Sequence, residues 1–252
     1  MAKLTEVVNF LDKTLSVDST PDYSAAHNGL QLENDGEVRS VVAAVDASEA
    51  VIQKAVDVGA ELLIVHHGMF WHGVQKVTNA FYRKLKLAMD HNLAIYSSHL
   101  HLDVHPEYGN NALLANALGM GDAQPYGDFK GAPLGLKQEL SMTLPELLSS
   151  VSKAVNCDVH HCPGGKNEVG MVGIVTGGAG SEVEKMHTLG IQTFITGEGP
   201  HWSFPLAEEL GMNVIYAGHY ATETFGVIKM AEVVAEKFQM IEKQFIDHPT
   251  GL

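Results

Sequence analysis

Two rhythms run through the chain. A helical period places Leu4, Val7, Val8, Leu11 and Leu15 on one side of residues 4–16. Short apolar runs rich in β-branched residues predict buried strands at 61–65, 93–96 and 213–217, and further strands are predicted at 38–45, 135–141, 157–161, 168–176 and 191–196. Helices are predicted between them at 49–58, 80–90, 111–118, 143–155, 181–189 and 203–210, with a last one ending near 238. Ser48 is a natural N-cap for the helix at 49 and Gly59 its stop, and Asn79 is placed as the cap of the helix at 80. Thr143 with Glu146 reads as a capping box, with Pro145 in the first turn. The residues after the last helix are expected to fall into a short tail.

Strands alternating with helices predict the α/β class. Between Gly119 and Gly135 the composition turns to Gly, Pro, Asp and Gln, which places a boundary near residue 124. The expected subunit therefore has two domains. Residues 1–124 with 191–252 form a mixed sheet flanked by helices, and 125–190 form a smaller inserted α+β domain.

Three of the apolar runs deliver histidine at their carboxyl ends. Glu61-Leu-Leu-Ile-Val65 leads into His66-His67-Gly68, and Leu93-Ala-Ile-Tyr96 leads through two serines into His99, with Asp103 four residues on. Asn213-Val-Ile-Tyr-Ala217 leads into Gly218-His219, with Glu223 four residues on. Residues at i and i+4 share a helical face, so the last pair can grip one cation or bridge two. If the three strands are parallel neighbours, all six side chains gather at the sheet edge where open α/β folds bind ligands. Imidazole and carboxylate together suit zinc, iron or manganese, and six donors exceed what one tetrahedral ion takes, which points to two ions.

Glu223, with two oxygens, is the natural bridge. Asp103 with one of His66 and His67 would complete one ion, and His219 with the other histidine would complete the second. Because successive strand residues face opposite ways, the two histidines share a cavity only if the strand ends at His66 or each serves its own ion. His99 is read as a ligand, an orienting partner or a proton shuttle. Glu198 and His201, which follow the 191–196 strand, can line the same cavity, and His99 and Glu198 are the catalytic candidates. His101 and His105 are pocket candidates, whereas His91, His187 and His248 read as solvated or structural.

The loop carrying Met69, Phe70, Trp71 and His72 serves either as a substrate wall or as packing. Thr176-Gly-Gly-Ala-Gly-Ser joins a strand to a helix and matches neither the dinucleotide fingerprint nor the P-loop. Close packing of that turn is the first reading and a phosphate cradle the second. Cys157 and Cys162 read as reduced thiols, since their spacing fits no standard zinc motif.

Bulk properties narrow the function. Of 252 residues, 16 are Lys or Arg and 30 are Asp or Glu, a net charge of −14, which argues against a nucleic-acid backbone as partner. No apolar run approaches the ~18 residues of a membrane span, and the first residues lack a signal peptide's apolar core; the expectation is a cytoplasmic protein. Fourteen histidines agree with metal chemistry.

Several segments carry a family resemblance. They are Asn28-Gly-Leu-Gln, Val65-His-His-Gly, Ser98-His-Leu-His-Leu-Asp with Gly109-Asn-Asn, Phe194-Ile-Thr-Gly-Glu, and Gly218-His-Tyr-Ala-Thr-Glu. With these the chain resembles the Nif-three-like dinuclear-metal proteins, the GTP cyclohydrolase I type 2 homologues, over nearly its whole length. The resemblance implies a two-domain α/β subunit in a ring-shaped homohexamer, a trimer of dimers, with metal sites facing an inner cavity. It places metal ligands on His66, His67, Asp103, His219 and Glu223, with His99 close by. One departure is Ala25-Ala-His27, where the family often has Asp-Trp-Asp.

Two functions are therefore expected. The first is a metal-dependent hydrolase using two divalent ions per subunit to break a carbon–nitrogen bond of a nucleotide or small heterocycle. The alternative is a non-catalytic metal-binding assembly with a regulatory or storage role.

Overall fold

The apolar runs become strands that sort into two main sheets in a computed structural model, which describes residues 2–17, 19–71, 73–240 and 242–252. His72, placed by the sequence in the loop after His67, lies outside the described residues. The chain begins with β1 (Ala2–Lys3), α1 (Leu4–Leu15), β2 (Gly29–Leu32), β3 (Glu37–Val38), β4 (Ser40–Asp46), α2 (Glu49–Asp57), β5 (Leu62–His67), α3 (Asn79–Asp90), β6 (Ala94–Ser97) and α4 (Leu100–Val104). It continues through α5 (Asn110–Ala117), β7 (Gln124–Tyr126), β8 (Gly135–Thr143), α6 (Leu144–Val155), β9 (His160–Pro163), β10 (Glu168–Val175), α7 (Val183–Thr188), β11 (Thr193–Thr196), α8 (Ser203–Leu210), β12 (Asn213–Tyr216) and α9 (His219–Thr222). It closes with α10 (Thr224–Phe238) and β13 (Glu242–Phe245). No helix among the described residues is long and apolar enough to cross a membrane.

The chain divides into two compact units, Met1–Leu102 with Gly226–His248, and Asp103–Phe225 with Pro249–Leu252. In the first, a five-stranded sheet runs in the order β13-β4-β5-β6-β2, parallel except for β2. Parallel strands covered on both faces read as continuous apolar runs, as β4 and β5 do. One face, carrying Val42, Ala44, Leu63, Val65 and Ile95, packs on Val51, Ile52 and Ala55 of α2 and on Leu85 and Ala88 of α3. The residues between them, Val41, Ala43, Leu62, Ile64 and Tyr96, are also buried and by alternation form the opposite face. There the Tyr96 hydroxyl donates to Asp12 of α1 at 2.8 Å, and Phe10 of α1 meets Phe238 of α10 edge to face.

The second unit holds a six-stranded mixed sheet in the order β7-β8-β10-β11-β12-β9. Strands β10, β11 and β12 are parallel, and the outer pairings are antiparallel. Val172, Ile174, Ile195 and Ile215 pack under Leu144, Leu147, Val151 and Val155 of α6. Phe194, Val214 and Val175 face Val183 and Met186 of α7 and Ala207 of α8. The capping box that opens α6 is formed as the sequence predicts, and Ser48 caps α2 through the Val51 amide.

Four expectations need correction. The three histidine-bearing strands are not neighbours in one sheet: β5 and β6 pair with each other, while β12 pairs with β11 and β9. For the same reason the boundaries expected near 124 and 191 do not match the compact units, because β11 and β12 extend the sheet of β8 and β10. The tail after α10 contains β13, whose polar sequence hides an edge strand pairing in parallel with β4. Asn79 does not cap α3: it is the first residue of that helix, at φ 53°, and Thr78 takes the cap position.

Leu63 is wholly buried beneath α2 and α3, so Leu63→Ala should cost about 2–5 kcal/mol. Urea unfolding measures it; a loss under about 1 kcal/mol would mean that this sheet face is loosely packed.

Candidate metal centre

In the first unit three imidazoles meet at the carboxyl edge of the parallel sheet. His66 and His67 are the last two residues of β5, yet their ring centroids lie only 4.8 Å apart. His99, two residues past β6, lies 5.0 Å from His66 and 5.7 Å from His67. One nitrogen from each falls within 4.8 Å of the others, close enough to hold a cation.

Each ring is fixed from behind through Nδ1. The Nδ1 of His66 is 3.0 Å from the Ser98 carbonyl oxygen, that of His67 is 2.9 Å from Asp46 Oδ1, and that of His99 is 2.9 Å from Asp22 Oδ1. Carbonyl and carboxylate oxygens accept, so Nδ1 carries the proton and Nε2 keeps its lone pair, the tautomer that metal-ligating histidines use. Asp46 faces His67 because the two are register partners at the ends of β4 and β5.

Asp22 does more than hold His99. It accepts from the Asn28 side chain at 2.9 Å and from the Leu100 amide at 3.2 Å, while Asn28 accepts the His99 amide at 2.7 Å. Burial alone would raise the Asp22 pKa, but the contacts from His99, Asn28 and the Tyr23 amide hold the carboxyl below its usual range. Gln31 pins the turn after His67, accepting the Met69 amide and donating to the His27 carbonyl. A Cβ at Gly68 would stand 2.3 Å from its amide nitrogen, so any larger residue there would displace the Gln31 side chain from these contacts. Trp71 stands edge-on to His99 at 4.8 Å and donates to the Gly68 carbonyl, which makes it a wall of the histidine group.

The second unit carries a carboxylate–imidazole set. His219 opens α9, with Nδ1 2.9 Å from Glu198 Oε1 and Nε2 3.1 Å from Glu223 Oε1. Asp103 and Glu223 are buried and bring carboxylate oxygens within 4.8 Å of each other. Asp103 Oδ1 accepts from Asn110 at 2.8 Å and from the Thr176 hydroxyl at 3.0 Å, and Asn111 accepts the Thr176 amide. Gly177 closes this set: its φ is 70°, and a Cβ there would stand 2.3 Å from Glu223 Oε1.

The model of the Duf34/NIF3 (NGG1p interacting factor 3) family matches residues 2–250. The chain belongs to that family. It is 38% identical over 251 residues to a Deinococcus radiodurans protein named GTP cyclohydrolase 1 type 2 homolog, covering 98% of this chain and 94% of the relative. A Pyrococcus abyssi protein of the same name is 40% identical, with 98% of each chain covered. Among solved structures, one from Thermus thermophilus superposes with a TM-score of 0.87 at 35% identity, covering 99% of this chain and all of that one.

Within this Duf34/NIF3 chain the candidates sort as follows. His66, His67 and His99 come together in one unit, and Asp103, His219, Glu223 and Glu198 in the other. The strand does not end at His66, as one reading required; it runs through His67, and the rings still converge. Glu198 stands behind His219 as its hydrogen-bond acceptor, which makes it a positioning group.

His101 is taken up by the Val17 carbonyl and Asp22, and His105 accepts the Glu107 and Tyr108 amides while stacking on Tyr108. Both serve structure rather than a pocket. The glycine-rich turn after β10 packs closely, as first read. Burial pushes both cysteine thiols up, and the groups of donors able to hold a cation among the described residues include no cysteine.

Sequence reasoning missed Asp22 and Asp46, and it singled out Asn110 and Thr176 without foreseeing their bonds to Asp103. Asp46 had a visible signal, an acid ending an apolar strand; Asp22 had none, since it reaches His99 from a loop 77 residues away in sequence.

Burial on its own would lower the His219 pKa, but Glu223 and then Glu198 outweigh it and push it up to about 9. In metal-free protein this ion pair stabilises the fold fully below the unfolded value of roughly 6.5 and is lost as pH rises through about 9. The melting-temperature gap between wild type and His219→Gln should accordingly shrink from pH 6 to pH 10; a constant gap would remove the ion pair. Gly177→Ala should cost more than about 1 kcal/mol, since alanine is strained at positive φ. Gly121→Ala, with nothing within 4 Å of its added Cβ, is the control, expected within about 0.5 kcal/mol of wild type by chemical denaturation.

Proposed function

We propose that the protein is a metal-dependent hydrolase holding two divalent ions, zinc, iron or manganese, on His66, His67, Asp103, His219 and Glu223. The observation that carries this reading is the uniform tethering of four imidazoles. His66, His67, His99 and His219 each bind an oxygen through Nδ1, which orients Nε2 as a donor. Nitrogen and carboxylate donors without thiolate suit those three metals.

Glu223 would be shared between the two ions in this reading, and Asn110 with Thr176 steadies Asp103. Bound divalent ions supply Lewis acidity and lower the pKa of water near neutrality. That chemistry fits opening of a carbon–nitrogen bond in a nucleotide or similar heterocycle, in keeping with relatives named GTP cyclohydrolase 1 type 2 homolog. His99, held by Asp22 beside the histidine pair, is the group placed to move a proton. The family resemblance extends the proposal to a homohexamer, a trimer of dimers, and the sequence reading places it in the cytoplasm.

A second reading, a non-catalytic metal-binding assembly, is favoured by one observation: both expected proton-transfer groups are tied into pairs, His99 with Asp22 and Glu198 with His219.

Elemental analysis of protein purified without chelator should find about two metals per chain, as a paired site requires. Glu223→Ala should lose about one of them, together with any turnover on nucleotides and cyclic amides. Unchanged metal content in that variant removes the bridging role, and metal retained with no turnover in the wild type selects the non-catalytic assembly.

A further inference from the structure

The three imidazoles of the first unit are not held alike. His66 leans on the Ser98 carbonyl beside the end of β6, and His67 on Asp46, the last residue of β4. Both acceptors belong to the sheet or its margin. His99 depends instead on Asp22, which lies between α1 and β2 in a segment with no helix or strand among its described residues. That carboxylate can fix a ring only if the segment carrying it is fixed.

Two side chains do this. Asn28 secures the far end, donating to Asp22 Oδ2 at 2.9 Å and accepting the His99 amide at 2.7 Å. His101 secures the near end. It is 3% exposed, and its Nε2 lies 3.0 Å from the Val17 carbonyl oxygen. A carbonyl only accepts, so Nε2 carries the proton. The other nitrogen, Nδ1, approaches Asp22 Oδ2 to 3.6 Å, which is beyond hydrogen-bond reach, and makes no hydrogen bond. Leaving a buried imidazole nitrogen unbonded is costly. What this imidazole adds over an apolar side chain is therefore the bond to Val17, five residues before Asp22.

We propose that His101 is a positioning residue for His99. By holding the Val17 carbonyl it keeps the Asp22 carboxylate against His99 Nδ1, and so determines that His99 presents the lone pair of Nε2. The purpose of this arrangement rests on the reading of His99 as the group that moves a proton, but the tautomer is readable in metal-free protein without substrate.

Solid-state NMR of metal-free protein carrying ¹⁵N-labelled histidine tests it at pH 8, above the ~6.5 of an unperturbed imidazole. Signals are assigned by their loss in His99→Gln and His101→Gln. In wild type, His99 should show a protonated Nδ1 and a lone-pair Nε2, and His101 a protonated Nε2. His101→Gln places an amide donor where Nε2 stood and should leave the His99 signals in position. His101→Asn is one carbon shorter and loses Val17. Its two His99 nitrogen signals should shift toward each other as the tautomers mix, in the direction seen when Asp22→Ala removes the acceptor outright. A merely structural role for His101 lowers the melting temperature of both variants and leaves the His99 signals unmoved.

Unmoved His99 signals in His101→Asn, or equal shifts in the Asn and Gln variants, overturn the proposal. So does a wild-type His99 without a lone pair on Nε2, or a wild-type His101 protonated on Nδ1 alone, and these two outcomes need no variant to fold. Metal-loaded wild type without turnover sinks the hydrolase reading and leaves this proposal standing; turnover in wild type with unmoved His99 signals in His101→Asn sinks this proposal alone.

Discussion

A hydrogen bond from the far nitrogen of an imidazole to an oxygen is the constraint on which the rest of this structure depends. An exposed histidine turns about two torsions and presents either nitrogen. Four histidines here have lost that freedom, because a carbonyl or carboxylate takes Nδ1 and fixes the direction of the ring, and in His66, His67 and His99 the tautomer as well. Three of the acceptors are themselves anchored: Asp46 by its strand register with His67, Asp22 by Asn28, and the Ser98 carbonyl by the backbone just past β6. Rigidity at the histidines is thus inherited from secondary structure.

The apolar strands explain why the chemistry sits where it does. A parallel sheet with helices on both faces buries the middle of its central strands, so polar groups gather toward the strand ends. In β5 the burial runs unbroken from Leu62 to Val65, and the first imidazoles come immediately after. Buried Asp103 and Glu223 would be costly alone, since removing a carboxylate from water is compensated only by donors and opposite charge. Asn110 and Thr176 supply donors to one, and His219 supplies charge to the other. Each of these buried acids is thus held by partners of its own rather than left as an uncompensated charge.

Motif residues that carry no chemistry gain physical roles on this view. Asn28 and Gln31 tie down His99 and the turn after His67, and Asn110 and Asn111 secure Asp103 and Thr176. Asp22, a few residues before Ala25-Ala-His27, supplies the carboxylate that holds His99. Gly177 belongs to the same group, because the Glu223 carboxylate fills the space where any other side chain would begin.

What the sequence determined by itself was local. The periodicity of Leu4 to Leu15, the Thr143–Glu146 capping box, the apolar runs ending in histidine and the His219–Glu223 spacing all depend on neighbours within about one or two helical turns. Tertiary structure alone decided which strands pair, because β-branched runs are interchangeable as partners and nothing in Asn213–Tyr216 says that it lies beside β11 rather than β6. It also recruited the polar strand β13 to an edge and brought Asp22 to His99 from far along the chain. Hydrogen bonds between distant residues leave no periodic trace in sequence; only folding the backbone brings such partners within reach.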